Sequence, residues 1–194
     1  MPEIRIAGND DRARAVDTIT LGFANDPLVR WMLPDAESYL RTFPQMVDAF
    51  GGGAIAAGSA YMADGGCAVA LWLPPGEMPD EERMERLMGE NIAPDMLDEV
   101  GAVFEEMDAY HPHDEPCWYL PLIAADPAWL GRGLGGMLMK HALRRVDEDG
   151  LPAYLESSNP RNISLYERHG YEVMGEIRHG GSPVVTPMIR AARS

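Results

Sequence analysis

Apolar positions recur at two periods along this chain, and the changes of period mark its elements. Ile4 and Ile6 alternate with polar residues over positions 3–7, the two-residue repeat of a strand. Asn9, Asp10 and Asp11 offer capping oxygens ahead of Val16, Ile19 and Phe23, which are spaced as one face of a helix. Asn25, Asp26 and Pro27 end that helix and start a short one through Trp31. Positions 36–50 read as a helix that Pro44 should kink or divide, because proline lacks the N–H that bonds one turn back. Gly51, Gly52 and Gly53 make a break. Strands over 59–62 and 67–73 then flank Asp64, Gly65 and Gly66, a hairpin signal. Two acidic helical stretches follow, over 80–89 and 94–110.

From position 118 onward strands and helices alternate. The pattern predicts a strand over 118–125, a helix over 133–149, a strand over 153–156, a short helix over 162–169, and strands over 171–177 and 184–189. Such alternation implies parallel neighbours joined by a right-handed crossover and covered by helices. With no repeat and no linker, the expected architecture is one mixed α/β (α+β) domain over 1–194.

Composition leaves this picture standing: 46% of residues are hydrophobic and 24% charged, the balance of a globular protein. Acids outnumber bases 31 to 16, a net charge of −15. That argues against a nucleic-acid partner, since counterion release from phosphates needs clustered Lys and Arg. No apolar run approaches the roughly 18 residues of a membrane span, and the first residues lack the cationic and apolar segments of a secretion signal. Cys67 and Cys117 are too few and too far apart for a disulfide framework or a zinc cluster. A cytoplasmic protein with no membrane partner is the expectation. Charge is uneven: positions 77–115 hold 14 acids against Arg83 and Arg86, a balance of −12. This is either a pair of solvated helix faces or a field that gathers cationic substrates.

The densest chemical signal runs from Asp126 to Gly136, between a strand and a helix. Gly131, Gly133, Gly135 and Gly136 let backbone approach a ligand closely. The helix that follows leaves its first N–H groups unpaired at the positive end of its dipole, an anion site suited to phosphate. A phosphate loop of the Gly-Lys-Ser/Thr type is excluded, because no such run follows. A dinucleotide fold is disfavoured too, since its glycine loop follows the first strand rather than lying two-thirds along the chain.

A second constellation lies downstream: Asn159, Pro160, Arg161 and Asn162, then Leu165, Tyr166, Glu167, Arg168, His169, Gly170 and Tyr171. With it, the sequence resembles the GCN5-related N-acetyltransferases (GNAT). That family pairs (Arg/Gln)-x-x-Gly-x-(Gly/Ala) at a strand-to-helix turn with an Asn and a Leu-Tyr-Glu-(Lys/Arg)-x-Gly-(Phe/Tyr) box. The likeness is strongest over about 118–177. Fainter similarity at 24–27, 68–75 and 115–120 points to the branch containing puromycin N-acetyltransferase. One position departs: Leu130 stands where the family has Arg or Gln, and Arg132 inside the loop could supply the missing charge.

The resemblance implies a GNAT fold with a splayed parallel strand pair, a substrate-side part over 1–115 and an acetyl-CoA-binding core over 116–194. It implies acetyl transfer from acetyl-CoA to a small primary amine by direct transfer in a ternary complex, by a monomer or homodimer. O-acetyl transfer to a hydroxyl and a non-catalytic acyl-CoA-binding module are the alternatives. The coenzyme would be held by the backbone of Ile123, Ala124 and Ala125, by Leu130, Gly131, Arg132, Gly133, Leu134, Gly135 and Gly136, and by Asn159, Asn162 and Tyr166. Helix capping is the alternative role for Asn159 and Asn162. Tyr166 matches the family's general acid. Glu156, at the end of a strand, heads the candidates for the base, because partial burial would raise its pKa toward 7. Asp114, Glu115 or an ordered water are the other candidates. Trp31, Trp72, Trp118, Tyr119 and Glu115 are expected to wall the acceptor side, fitting a cationic, partly apolar amine. His111 and His113 lack a third partner for a metal, so no metal is expected.

Overall fold

The structure, a computed structural model, describes residues 2–193, so the first and last positions of the expected 1–194 domain lie outside the described residues. Strand β1 (Ile4–Ile6) leads into α1 (Arg12–Gly22), α2 (Pro27–Met32), α3 (Ala36–Gly51) and the single turn α4 (Gly53–Ala56). The hairpin β2 (Ala60–Ala63) and β3 (Ala68–Leu73) follows, then α5 (Glu81–Asn91) and α6 (Leu97–Tyr110). The C-terminal half is β4 (Trp118–Ala125), α7 (Leu134–Asp149), β5 (Ala153–Ser157), α8 (Ile163–Glu167), β6 (Glu172–Val173) and β7 (Thr186–Arg190).

Seven strands form one sheet in the order β1-β2-β3-β4-β5-β7-β6. Only β4 and β5 run parallel, linked through α7; every other neighbouring pair is antiparallel. The parallel neighbours expected further along do not form, because β7 inserts between β5 and β6 and pairs antiparallel with both. The strand expected over 171–177 shrinks to Glu172–Val173 plus an isolated bridge from Ile177 to Val185. Between them the Tyr110 hydroxyl occupies the space where a side chain on Gly175 would stand.

Pro44 neither divides nor ends α3. Its ring removes the bond to the carbonyl of Leu40, a residue 64% exposed, so water can take the vacated carbonyl. Meanwhile Phe43, Met46 and Val47 hold the helix to the core.

Alternation along the strands divides the interior into two cores. Val69, Leu71 and Leu73 of β3 face α1, α3, α5 and α6, whereas Ala68, Ala70 and Trp72 face α7. Strand β4 changes phase midway. Leu71 pairs with Leu122 but Leu73 pairs with Tyr119, so β4 carries one residue more than β3 between these pairs. Pro121 sits in that irregularity, where a residue without an N–H costs the ladder least. Beyond it β4 leaves β5: only Trp118 with Ala153 and Tyr119 with Tyr154 pair across them. The β5-facing edge of β4 is therefore unpaired over 120–125.

Candidate active site

The opened edge of β4 leads directly to the glycine loop. Asp126 caps the turn Pro127–Trp129 by accepting the Ala128 N–H at 2.8 Å. Gly131 and Gly133 have φ of +76° and +73°, a left-handed backbone that side-chain-bearing residues rarely adopt, and nothing lies within 4 Å of where their Cβ atoms would be. Gly133 starts α7, whose first bond is from the Met137 N–H to the Gly133 carbonyl. The N–H groups of Leu134, Gly135 and Gly136 therefore precede the helix's own ladder. Leu134 anchors this terminus in the core. Arg132 lies 4.5 Å over the Trp129 ring, and Leu130 is 67% exposed. Ile123, Ala124 and Ala125 are half-buried along the free edge.

An extended, anion-bearing molecule suits this arrangement: unpaired main chain lies along β4, and open space stands where side chains on Gly131 and Gly133 would be, just ahead of a helix start. These are features coenzyme A needs. At the far side Asn159 accepts the Arg161 N–H at 3.1 Å through Oδ1, so it does cap the next turn. Its Nδ2 has no acceptor among the described residues. Asn162 is exposed and makes no side-chain cap. Tyr166, on α8, is 5% exposed, and its hydroxyl bonds to no described residue. Burial, with a smaller effect of Asp26, holds this phenol well above its ordinary pKa, so it keeps its proton. Asp26 accepts from the Ser158 hydroxyl at 2.6 Å, tying the start of α2 to the end of β5.

The opposite face of β5 carries Tyr154 and Glu156. Glu156 Oε2 accepts from the Tyr119 hydroxyl at 2.8 Å. Burial pushes its pKa up from 4.5 to about 7, although hydrogen bonds from Tyr119 and Tyr154 pull the other way. The His111 ring meets Tyr119 and Tyr154 edge-on, both at 4.9 Å.

Two adjoining cavities share Glu156. One of about 400 Å³ lies between α5 and α6 and is walled by Phe50, Phe104, Met107, His111 and Tyr119. The other, about 70 Å³, reaches Pro121, Leu122 and Ser158 at the strand splay. Glu156 thus stands between an outer chamber and the opening of the sheet.

Tyr119 lines the chamber, and the other residues expected on the acceptor side do not. Trp72 and Trp118 are 0% and 1% exposed on the sheet face that packs against α7, with Arg145 over the Trp118 ring. Trp31 is half-buried near Gly181, and Glu115, with Asp114, is exposed on a loop. Cys117 is buried with its thiol pushed up to about 12, which leaves no thiolate near neutrality. Among the described residues no cluster of His, Cys, Asp or Glu is arranged to hold a metal, and no helix is long and apolar enough to cross a membrane. Phe104 and Met107 line the chamber and were not singled out in the sequence, and His111, considered there only as half of a metal-like pair, joins them. Their signal was the stripe on α6, repeating every three or four positions.

Comparison with known proteins adds to this geometry. The acetyltransferase (GNAT) family model matches residues 100–171. An uncharacterised N-acetyltransferase of Schizosaccharomyces pombe is 23% identical over 181 residues, 83% of this chain and 70% of that protein. A structure described as histone acetyltransferase HPA2 and related acetyltransferase, from Corynebacterium glutamicum, superposes with a TM-score of 0.69 at 24% identity, covering 100% of this chain and 97% of the other. The polyamine N-acetyltransferase of Drosophila melanogaster gives 0.66 at 16%, covering 98% and 100%. Fold and matched segment together define an acyltransferase enzyme. Within that class, residues 100–171 match the acetyltransferase (GNAT) family, and the whole chain shares the fold of solved acetyltransferases.

Proposed function

We propose that this enzyme transfers the acetyl group of acetyl-CoA to a small primary amine directly, both substrates being bound at once. The observation that carries the reading is the position of Glu156, shared by the chamber between α5 and α6 and the smaller cavity at the strand splay. An acceptor in the chamber and a thioester in the splay would meet there without a covalent enzyme intermediate.

Coenzyme A would be held by the amides at 131–136, by the free edge of Ile123, Ala124 and Ala125, and by Asn159. When bound, acetyl-CoA supplies an activated acetyl thioester with a thiol as its leaving group. The amides of 131–136 are main-chain N–H donors, so Leu130 in place of Arg or Gln removes one side-chain contact and leaves the backbone clasp intact. A lysine-like amine, with a pKa near 10.4, costs about 4–5 kcal/mol to neutralise at pH 7. Glu156, poised near 7, takes that proton on its carboxylate while Tyr119 orients the group. The neutral Tyr166 hydroxyl gives its proton to the departing sulfur. Main-chain N–H groups on the open edge of β4 polarise the acetyl carbonyl.

The finer placement in the puromycin N-acetyltransferase-like branch rests on Ala24–Pro27, 68–75 and 115–120 and forms part of this reading. So do a single domain divided near 115/116, a cytoplasmic address and the lack of a nucleic-acid partner. Two buried free cysteines fit a reducing compartment. The test is an acceptor screen that measures free thiol, run with wild type and Tyr166→Phe. Acetylated amine formed at rates that fall at least about a hundredfold in the variant supports the reading. Equal rates overturn the role of Tyr166.

A further inference from the structure

Helices α5 and α6 each turn one stripe toward the larger cavity. On α5 it is Glu81, Met84, Glu85 and Met88, and on α6 Gly101, Phe104, Glu105 and Asp108, both at i, i+3, i+4 and i+7. The four carboxylates are exposed at the mouth, whereas Met84 and Met107 are buried and Phe104 half-buried further in. Glu156 closes the inner end. No Lys or Arg lines the chamber among the described residues. The two bases of α5 fall off its stripe, and Arg83 is engaged with Asp48 at 2.8 Å. The imidazole on the wall, His111, is held below its ordinary pKa by burial, so it adds no positive charge near neutrality.

We propose that the acceptor is a dication: a primary amine with a second positive charge across an apolar spacer, the reacting nitrogen at Glu156 and the distal charge among the carboxylates of α5 and α6. This rests on the acetyl-transfer reading and adds the acceptor's charge pattern to it. The reacting amine must lose its proton before it attacks, so its own charge is not there to be held during transfer. A second cation keeps its charge throughout, and the mouth can hold it in the transition state as well as in the ground state. Clefts lined by one sign of charge concentrate ligands of the other. Phe104 and the methionines cover the spacer, and the flexible thioethers adapt to its length.

The test is kcat/KM, read by free-thiol release, for three acceptors of equal chain length: an n-alkylamine, the α,ω-diamine and the ω-amino acid. The diamine should lead the alkylamine by about tenfold at low ionic strength, the lead shrinking as salt rises. The ω-amino acid, with a distal carboxylate, should be the poorest. Changing Glu85→Gln with Glu105→Gln should cut the diamine's lead severalfold. An alkylamine or ω-amino acid that equals the diamine overturns the charge pattern and leaves acetyl transfer to amines intact. So does a double variant that keeps the full lead. No thiol release with any amine, while acetyl-CoA still binds, overturns both.

Discussion

Glu156 suits a base at neutral pH because it is removed from water with two phenols, rather than a cation, beside it. With a pKa of about 7, kcat/KM should rise with pH to a plateau, with a midpoint near 7, and Glu156→Gln should lose most activity and that limb of the profile. Stability moves the other way. The folded protein binds this proton more tightly than the unfolded chain, so the protonated carboxyl's contribution is complete below about 4.5 and is lost as pH rises through about 7. Denaturant unfolding at several pH values should show Glu156→Gln gaining on wild type across that window, by up to about 3 kcal/mol. A constant difference would mean that the carboxyl is not desolvated. Tyr166→Phe should lower kcat by about 10²–10⁴ while acetyl-CoA affinity, read by calorimetry, stays nearly constant. Both side chains were legible in the sequence, one at a strand end and the other inside a motif. The tryptophans were not. Strands such as 68–73 are apolar on both faces, so periodicity cannot tell the face of Trp72 from that of Leu71 and Leu73.

At the scale of elements, the site depends on two strands that part. The extra residue at Pro121 turns β4 away from β5 after Tyr119, and α1 lies against the freed stretch at Gly22. A Cβ on Gly22 would stand 2.5 Å from the Ala124 Cβ and 3.0 Å from the Ala125 carbonyl oxygen. Gly22→Ala should therefore push α1 outward and cost about 1–3 kcal/mol in urea unfolding. At the other end of the groove, Gly133→Val forces a β-branched residue to φ of +73°. It should cost about 1–2 kcal/mol and weaken acetyl-CoA more than the amine acceptor, as separate KM values would show. Element positions were largely readable because caps and glycines punctuate them. Pairing was less so: the sequence marks β7 as a strand, but nothing local says that it inserts between β5 and β6.

Across the whole molecule the sheet divides the labour. One face, with α7 and α8, carries the glycine loop and the proposed coenzyme site, and the other, with α5 and α6, presents a carboxylate-rimmed chamber. Much of the −15 net charge lies on the chamber side, so a cation and an anion are drawn to different faces and meet only where β4 and β5 separate. The uneven charge was visible along the chain from the start. That it surrounds a cavity was not, because the placing of α5 and α6 on either side of that space is a tertiary fact. The account stands on the amides at 131–136 gripping a diphosphate. Calorimetric titration with acetyl-CoA, set beside acetyl-pantetheine, which lacks the diphosphate, measures that grip. The prediction is clear binding of acetyl-CoA and a loss of at least about a hundredfold for the truncated thioester; no heat with acetyl-CoA, or equal affinity for the two, would contradict it.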